Sequence, residues 1–236
     1  MRQGSIIFTA LLVFYPVVPV MARDYGWFGS VALGAVVTSG NTDTSSLNGA
    51  LKERYQGKQW LQKFEASLLQ SRSDNNLSAE RYLGDYKLTY KLYPQIDFFM
   101  DVRVVRDEFA GFNRQYFETI GYGHRWIEAL YDVLDLELGV GLLQQQSASG
   151  DSQANTVLRA GFEYQHKFIN GNKFSWDLLV LGARDNTNTH SKLAVKAKLF
   201  AALAAEISVT GSYNSNVPAD KESQDITTSM GLVYDF

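Results

Sequence analysis

Residues 231–236 read GLVYDF, and this closing stretch decides the fold. Leu232, Tyr234 and Phe236 share one parity, and Gly231, Val233 and Asp235 share the other. Further back, Ile226 and Met230 join the apolar set, while Thr227 and Ser229 join the small polar set. A soluble domain usually ends in a frayed polar tail. Here a strand with one greasy face runs to the last residue.

The same period of two recurs upstream. WFGSVALGAVVTS (27–39) sets Trp27, Val31, Leu33, Ala35 and Val37 against Ser30, Ala32, Gly34 and Thr38. ERYLGDYKLTYKLY (80–93) sets Tyr82, Tyr86, Leu88, Tyr90 and Leu92 against Arg81, Asp85, Lys87, Thr89 and Lys91. VLDLELGVGLL (133–143) and VLRAGFEYQHKF (157–168) alternate in the same way. Such runs predict about twelve strands, each long enough for a tilted crossing of ~9–11 residues. Their expected starts are Trp27, Ser45, Trp60, Ala79, Gln95, Arg114, Leu130, Ala154, Lys173, Ser191, Ala205 and Asp225.

Connector length alternates along the chain. GKQ (57–59), YPQ (93–95), EAL (128–130), NGNK (170–173) and ALA (202–204) are tight. SDNNLSAE (73–80), DEFAGFN (107–113), QQSASGDSQA (145–154), ARDNTNTH (183–190) and NSNVPADKESQD (214–225) are long and polar, and TSGNTDT (38–44) falls on their side. An even strand number with short turns at one end and long loops at the other describes a closed antiparallel transmembrane β-barrel.

The amino terminus supplies the export signal that such a fold needs. Arg2 precedes an apolar stretch, Ile6 to Val20, and Val20-Met21-Ala22 offers a cleavage site. Residues 1–22 read as a secretory signal peptide and 23–236 as a single barrel domain. Pro16 and Pro19 argue against a spanning helix there, and no later segment is long and apolar enough for one. The competing fold is a soluble β-sandwich, which alternates too but turns its polar face outward. Aromatic residues decide against it. Trp27, Tyr55, Trp60, Tyr93, Trp126, Phe168, Phe174, Trp176, Tyr234 and Phe236 gather at strand ends beside the short turns. That is the interfacial girdle of an outer-membrane barrel. Phe236 then sits at the periplasmic rim, where it resembles the terminal aromatic signature read by the outer-membrane assembly machinery. Glu53, Glu118 and His124 fall on the apolar parity, which would require a local bulge.

Three segments carry a family resemblance: WFGSVALGAVVTSGNTDTSSLNGALKERY (27–55), RDEFAGFNRQYFETIGYGHRW (106–126) and NVPADKESQDITTSMGLVYDF (216–236). They resemble an uncharacterised family of outer-membrane proteins described as salt-induced and treated as a domain of unknown function. The resemblance spans the chain after residue 22. It implies a single barrel in the outer membrane of a Gram-negative bacterium, and no activity, substrate or site residue.

Composition excludes several classes of function. There is no cysteine, so no disulfide framework or C-x-x-C site. A formal net charge of −3 gives no ground for a nucleic-acid partner. No phosphate-binding or H-E-x-x-H motif occurs. The three histidines are scattered, so neither a metal nor another cofactor is expected. The Asn/Asp-rich loops SGNTD (39–43), SDNN (73–76) and RDNTNTH (184–190) read as turn chemistry rather than calcium sites. The enzymatic alternative is a lipid hydrolase with a Ser-His-Asp/Asn set on the barrel exterior. His124 and His166 lie near short turns, as girdle imidazoles do, and no serine is evident beside His190 on the lipid face. The expectation is therefore a non-enzymatic barrel, either a passive small-solute or ion channel or a structural envelope-stress barrel.

The inward parity carries the candidate site. Its bases are Lys52, Arg54, Lys63, Lys87, Lys91, Arg103, Lys196 and Lys198. Its acids are Glu65, Asp85, Asp101, Asp135, Glu137, Glu163 and Asp177. The acids concentrate on strands seven to nine and the bases on strands ten to four through closure, with Arg159 and Lys167 blurring the split. This predicts a transverse field across the bore, unless the charges merely pair and plug it. Gly121, Gly123, Gly139, Gly141 and Gly161 share the inward parity and are expected to leave space, for the bore or for bulky groups from the opposite wall. Arg72, Arg106, Arg114 and Arg184 lie at strand ends beside the long loops, and two readings stand for them: contacts to lipopolysaccharide phosphates at the outer leaflet, or ordinary solvated loop charges.

Overall fold

The computed structural model describes residues 25–38, 44–73, 76–107, 112–147, 152–184, 186–217 and 223–236. The expected signal peptide and the SGNTD loop lie outside these residues. Twelve strands follow in order: β1 (Gly26–Thr38), β2 (Thr44–Gln56), β3 (Trp60–Ser73), β4 (Asn76–Tyr93), β5 (Ile96–Asp107) and β6 (Phe112–Glu128), then β7 (Asp132–Ser147), β8 (Ser152–Lys167), β9 (Lys173–Ala183), β10 (Thr187–Phe200), β11 (Leu203–Asn214) and β12 (Gln224–Asp235). Every start lies within a few residues of its predicted place. Each strand pairs antiparallel with its sequence neighbours, and β12 returns to β1. A closed ring satisfies backbone groups that an open edge would leave bare in hydrocarbon. Among the described residues no helix is long and apolar enough to cross a membrane.

The outer wall is apolar and girdled. Leu138, Leu158, Ile120 and Met230 are exposed along it. At the short-turn end, Trp27 meets Tyr55 with ring centroids 5.1 Å apart and Trp60 meets Tyr90 at 4.8 Å, both tilted. His124 lies between Tyr122 and Trp126, and His166 meets Phe168 at 4.6 Å. The expected bulge that would turn Glu53, Glu118 and His124 inward is not there. β2 keeps an unbroken register with β1 and β3. The shifts in β6 fall at Phe112/Arg114 and Arg125/Ile127, outside the stretch 118–124. These three are polar residues of the outer wall; Glu118 stands between Val102 and Leu142.

The closing seam is short. β1 and β12 are in register only from Ser30–Asp235 to Leu33–Leu232, extended by mutual backbone bonds of Gly29 and Phe236 at 2.7 and 2.9 Å. The remaining lengths of β1 and β12 pair only with β2 and β11.

Glycines mark where the wall bends. A Cβ on Gly121 would lie 2.2 Å from the Leu138 carbonyl oxygen, on Gly139 2.6 Å from that of Ile120, and on Gly141 2.0 Å from that of Glu118. Across the seam, Gly34 and Gly231 would meet the carbonyl oxygens of Met230 and Leu33, both at 2.5 Å. Inward Cβ atoms crowd on the concave side of a sharp bend, so each pair marks a barrel corner. The corners at β6–β7 and β12–β1 lie half a ring apart. The glycines leave no bore: Phe99 of the adjacent β5 covers Gly121 and Gly139, at 2.6 and 3.2 Å from their Cβ positions.

Candidate functional site: an ion-braced bore

Two kinds of filling divide the interior. Toward the long-loop end on the β6–β9 side, Phe117, Leu143, Val157, Leu179 and Leu181 form a buried apolar cluster. Above it lies an amide layer, in which Gln115 and Asn186 donate to Gln145 Oε1 at 2.9 and 3.3 Å. Below it lies an ionic layer. Arg159 Nη1 donates to Asp101 at 2.7 Å and Nη2 to Glu137 at 3.1 Å, while Lys87 Nζ donates to the other Glu137 oxygen. The Phe99 ring lies under both cations, 5.0 Å from the Arg159 guanidinium carbon and 4.9 Å from Lys87 Nζ. Asp101 is 1% exposed and Arg159 6%, so their charges are tolerated only because they pair.

A second set of contacts crosses the bore. Lys63 of β3 reaches Glu163 of β8 at 2.7 Å, joining strands five places apart. Arg81 of β4 donates to Ser212 of β11 at 2.8 Å, and His190 Nδ1 lies 3.4 Å from the same hydroxyl. Open space runs alongside these braces. One cavity of about 470 Å³ runs from Phe28 and Arg54 to Lys192 and His190. Another of about 310 Å³ shares its wall at Lys52, Glu65, Asp177 and Lys192. A third of about 70 Å³ continues to Asn214 and Asp225 at the long-loop end, meeting both others at His190.

The sequence-derived charges divide accordingly. Lys52, Lys87, Arg103, Lys196, Glu137, Glu163 and Asp177 border the 470 Å³ cavity. Asp135 faces inward but is clamped by Arg125 at 2.8 and 3.0 Å near the short turn after β6. Lys198 keeps the inward parity, opposite Ala204, but is exposed at the rim. The expected segregation of charge is largely cancelled by neighbours: Lys52 pairs with Glu65 at 3.3 Å, Arg103 with Asp85 at 2.5 Å, and Lys196 with Asp235 at 2.5 Å. Asp177 makes no salt bridge among the described residues. Lys192 pairs with Glu206 at 3.0 Å; both were overlooked in the sequence, although the parity of Lys196 would have found Lys192. His190 points into the bore beside Ser212, not toward lipid. His166 pairs with Asp132 at 2.8 Å, and Tyr164 donates to the same oxygen at 2.6 Å. Arg72, Arg106, Arg114 and Arg184 are exposed near the long-loop ends of their strands, Arg114 donating to Tyr116 Oη at 3.0 Å. Among the described residues no group of three His, Asp or Glu side chains is set to hold a metal ion.

An apolar, aromatic-girdled exterior around a charged interior defines a porin-like β-barrel protein of the bacterial outer membrane. The chain belongs to the family described as "Protein of unknown function, DUF481", which matches residues 31–236. It is 24% identical over 208 residues to uncharacterized protein YdiY of Escherichia coli (strain K12), covering 87% of this chain and 82% of that protein. Among solved structures it is similar in fold to the NanC porin, at a TM-score of 0.55 and 10% identity, covering 88% of this chain and 98% of that one. The KdgM porin gives a TM-score of 0.47 at 9% identity, covering 89% and 99%.

Proposed function

We propose that the protein is a narrow passive channel for small polar solutes. The observation that carries this reading is the run of three adjoining cavities along the bore, from Arg54 to Asn214. The paired charges along its wall can exchange hydrogen bonds with a solute of either sign, which makes for weak ion selectivity. The Arg81–Ser212–His190 bridge spans the bore where the 310 and 70 Å³ cavities share Arg81 and His190. The experiment is single-channel recording of the refolded protein in a planar bilayer, comparing wild type with Arg81→Gln/Ser212→Ala. Small wild-type openings that grow in the variant support the channel. Silence in both supports the second reading, a braced structural barrel, which the cross-bore Lys63–Glu163 pair favours.

We also infer two partners at the rims. Arg72, Arg106, Arg114 and Arg184 form an outer collar for lipopolysaccharide phosphates, since guanidinium and phosphate pair through charge-assisted, bidentate hydrogen bonds. Phe236 offers the terminal strand to the assembly machinery.

A further inference from the structure

We propose that the short-turn mouth of the bore holds a binding site for a small phosphate-type dianion, built on Arg54 and Lys173. Pairing is the rule in this interior, and these two residues break it. Every other lysine and arginine bordering the three cavities makes a salt bridge, whereas Arg54 and Lys173 make none among the described residues. Both border the 470 Å³ cavity.

Strand register creates the surplus. Lys173 of β9 stands between Lys167 of β8 and Lys196 of β10 as the direct partner of each. Like charges directly opposite one another destabilise a sheet. Lys196 is relieved by Asp235 at 2.5 Å. Arg54 heads a second row of cations, with Lys63 and Lys87. Those two are neutralised by Glu163 and Glu137. Each row thus leaves a cavity-lining cation without a carboxylate, and the two repel one another across the mouth. The nearby acids do not serve them. Asp177 lies deeper on β9, in register with Lys192 and Glu163. Glu53 stands on the outer wall, and the Phe236 oxygen is taken by the Gly29 N–H at 2.7 Å.

The two side chains differ in what they offer. The Arg54 guanidinium carbon lies 4.8 Å from the centroid of the Phe28 ring, a contact that steadies the side chain. Among the described residues the guanidinium donates no hydrogen bond. Its fork of N–H groups can therefore take two oxygens of an oxyanion at once. Lys173 adds a point charge. A carboxylate spends both oxygens on the fork, whereas a phosphate keeps further oxygens and a second charge for the ammonium. The pair thus favours phosphate over acetate. Both cations border the cavity rather than the outer wall, so the ligand is water-borne: inorganic phosphate or a phosphomonoester.

The test uses the full barrel refolded in detergent micelles, with inorganic phosphate as probe, titrated by phosphorus NMR. Sodium chloride holds the ionic strength at a physiological level, which screens a diffuse field. Binding in micelles needs no conductance, so this site and the channel reading fail separately. Wild type should bind phosphate saturably and more tightly than acetate. Arg54→Gln and Lys173→Gln should each weaken phosphate at least roughly tenfold. Arg54→Lys keeps the charge but loses the fork, and should weaken it nearly as much. Without phosphate, Lys173→Gln should melt no lower than wild type, since the lysine row is relieved. Heat-modified gel mobility confirms that each variant is folded. Wild type that binds no phosphate overturns the site, because water then suffices for both cations. Equal affinity for acetate, or unchanged phosphate binding in either glutamine variant, overturns it too. So does full binding by Arg54→Lys, which leaves only a positive field. A lower melting temperature of Lys173→Gln also overturns it, because the ammonium then has its counter-charge within the protein.

Discussion

Removing the Arg159 guanidinium should be the most damaging single change in the bore. Arg159→Met keeps the stem and its packing on Phe99 but strips both Asp101 and Glu137 of a cation. Glu137 keeps Lys87. Among the described residues Asp101 keeps no other salt bridge, and it is 1% exposed. Deleting one partner of a buried pair costs ~3–5 kcal/mol, because the other charge stays buried. Lys63→Met is the control. Lys63 and Glu163 are 36% and 38% exposed, so solvent screens them and the expected loss is ~0.2–1 kcal/mol. With a guanidinium slope of ~4 kcal/mol per molar for a chain of this size, Arg159→Met should lower the unfolding midpoint by about 1 M. Lys63→Met should lower it by about 0.2 M or less. Tryptophan fluorescence in phospholipid vesicles reads both. Adding Asp101→Leu to Arg159→Met should restore at least half the loss, since no orphaned carboxylate remains there. Equal midpoints for Arg159→Met and Lys63→Met would refute the reasoning, because Asp101 would then be solvated by lumenal water despite its burial.

Gly139→Ala should prevent assembly of the folded, heat-modifiable form, since its Cβ meets a backbone oxygen at 2.6 Å, whereas Gly84→Ala and Gly211→Ala, with open space around them, should assemble normally. Phe236→Ala should slow assembly in cells more than it lowers stability in vitro; equal effects would assign Phe236 to packing on Gly29 alone. In hydrogen exchange, the β1-facing amides of residues 224–230 should exchange faster than those of residues 232–235, because only the latter are in register with β1. Lipopolysaccharide should raise the melting temperature of wild type more than that of Arg72→Gln/Arg106→Gln/Arg114→Gln/Arg184→Gln; an equal rise in both removes the collar.

The sequence by itself determined the strands, their number and the wall each residue faces. Alternation is a property of the single strand: Leu136 and Leu138 must point opposite to Asp135 and Glu137 wherever the strand lies. Loop lengths determined the antiparallel order, and the girdle aromatics determined which surface meets lipid. Only the tertiary structure decided what meets across the bore. Lys63 and Glu163 are 100 residues apart, and their contact depends on closure and stagger of the ring. Parity likewise marks Gly121 and Gly139 as inward but is silent on curvature, which turns them from open space into a tight corner under Phe99. In β9 both parities are apolar, Leu178 and Val180 outside, Leu179 and Leu181 inside. An inward apolar cluster thus leaves no mark on a pattern of period two. Period two fixes a direction; distance across a closed ring is set by all twelve strands together.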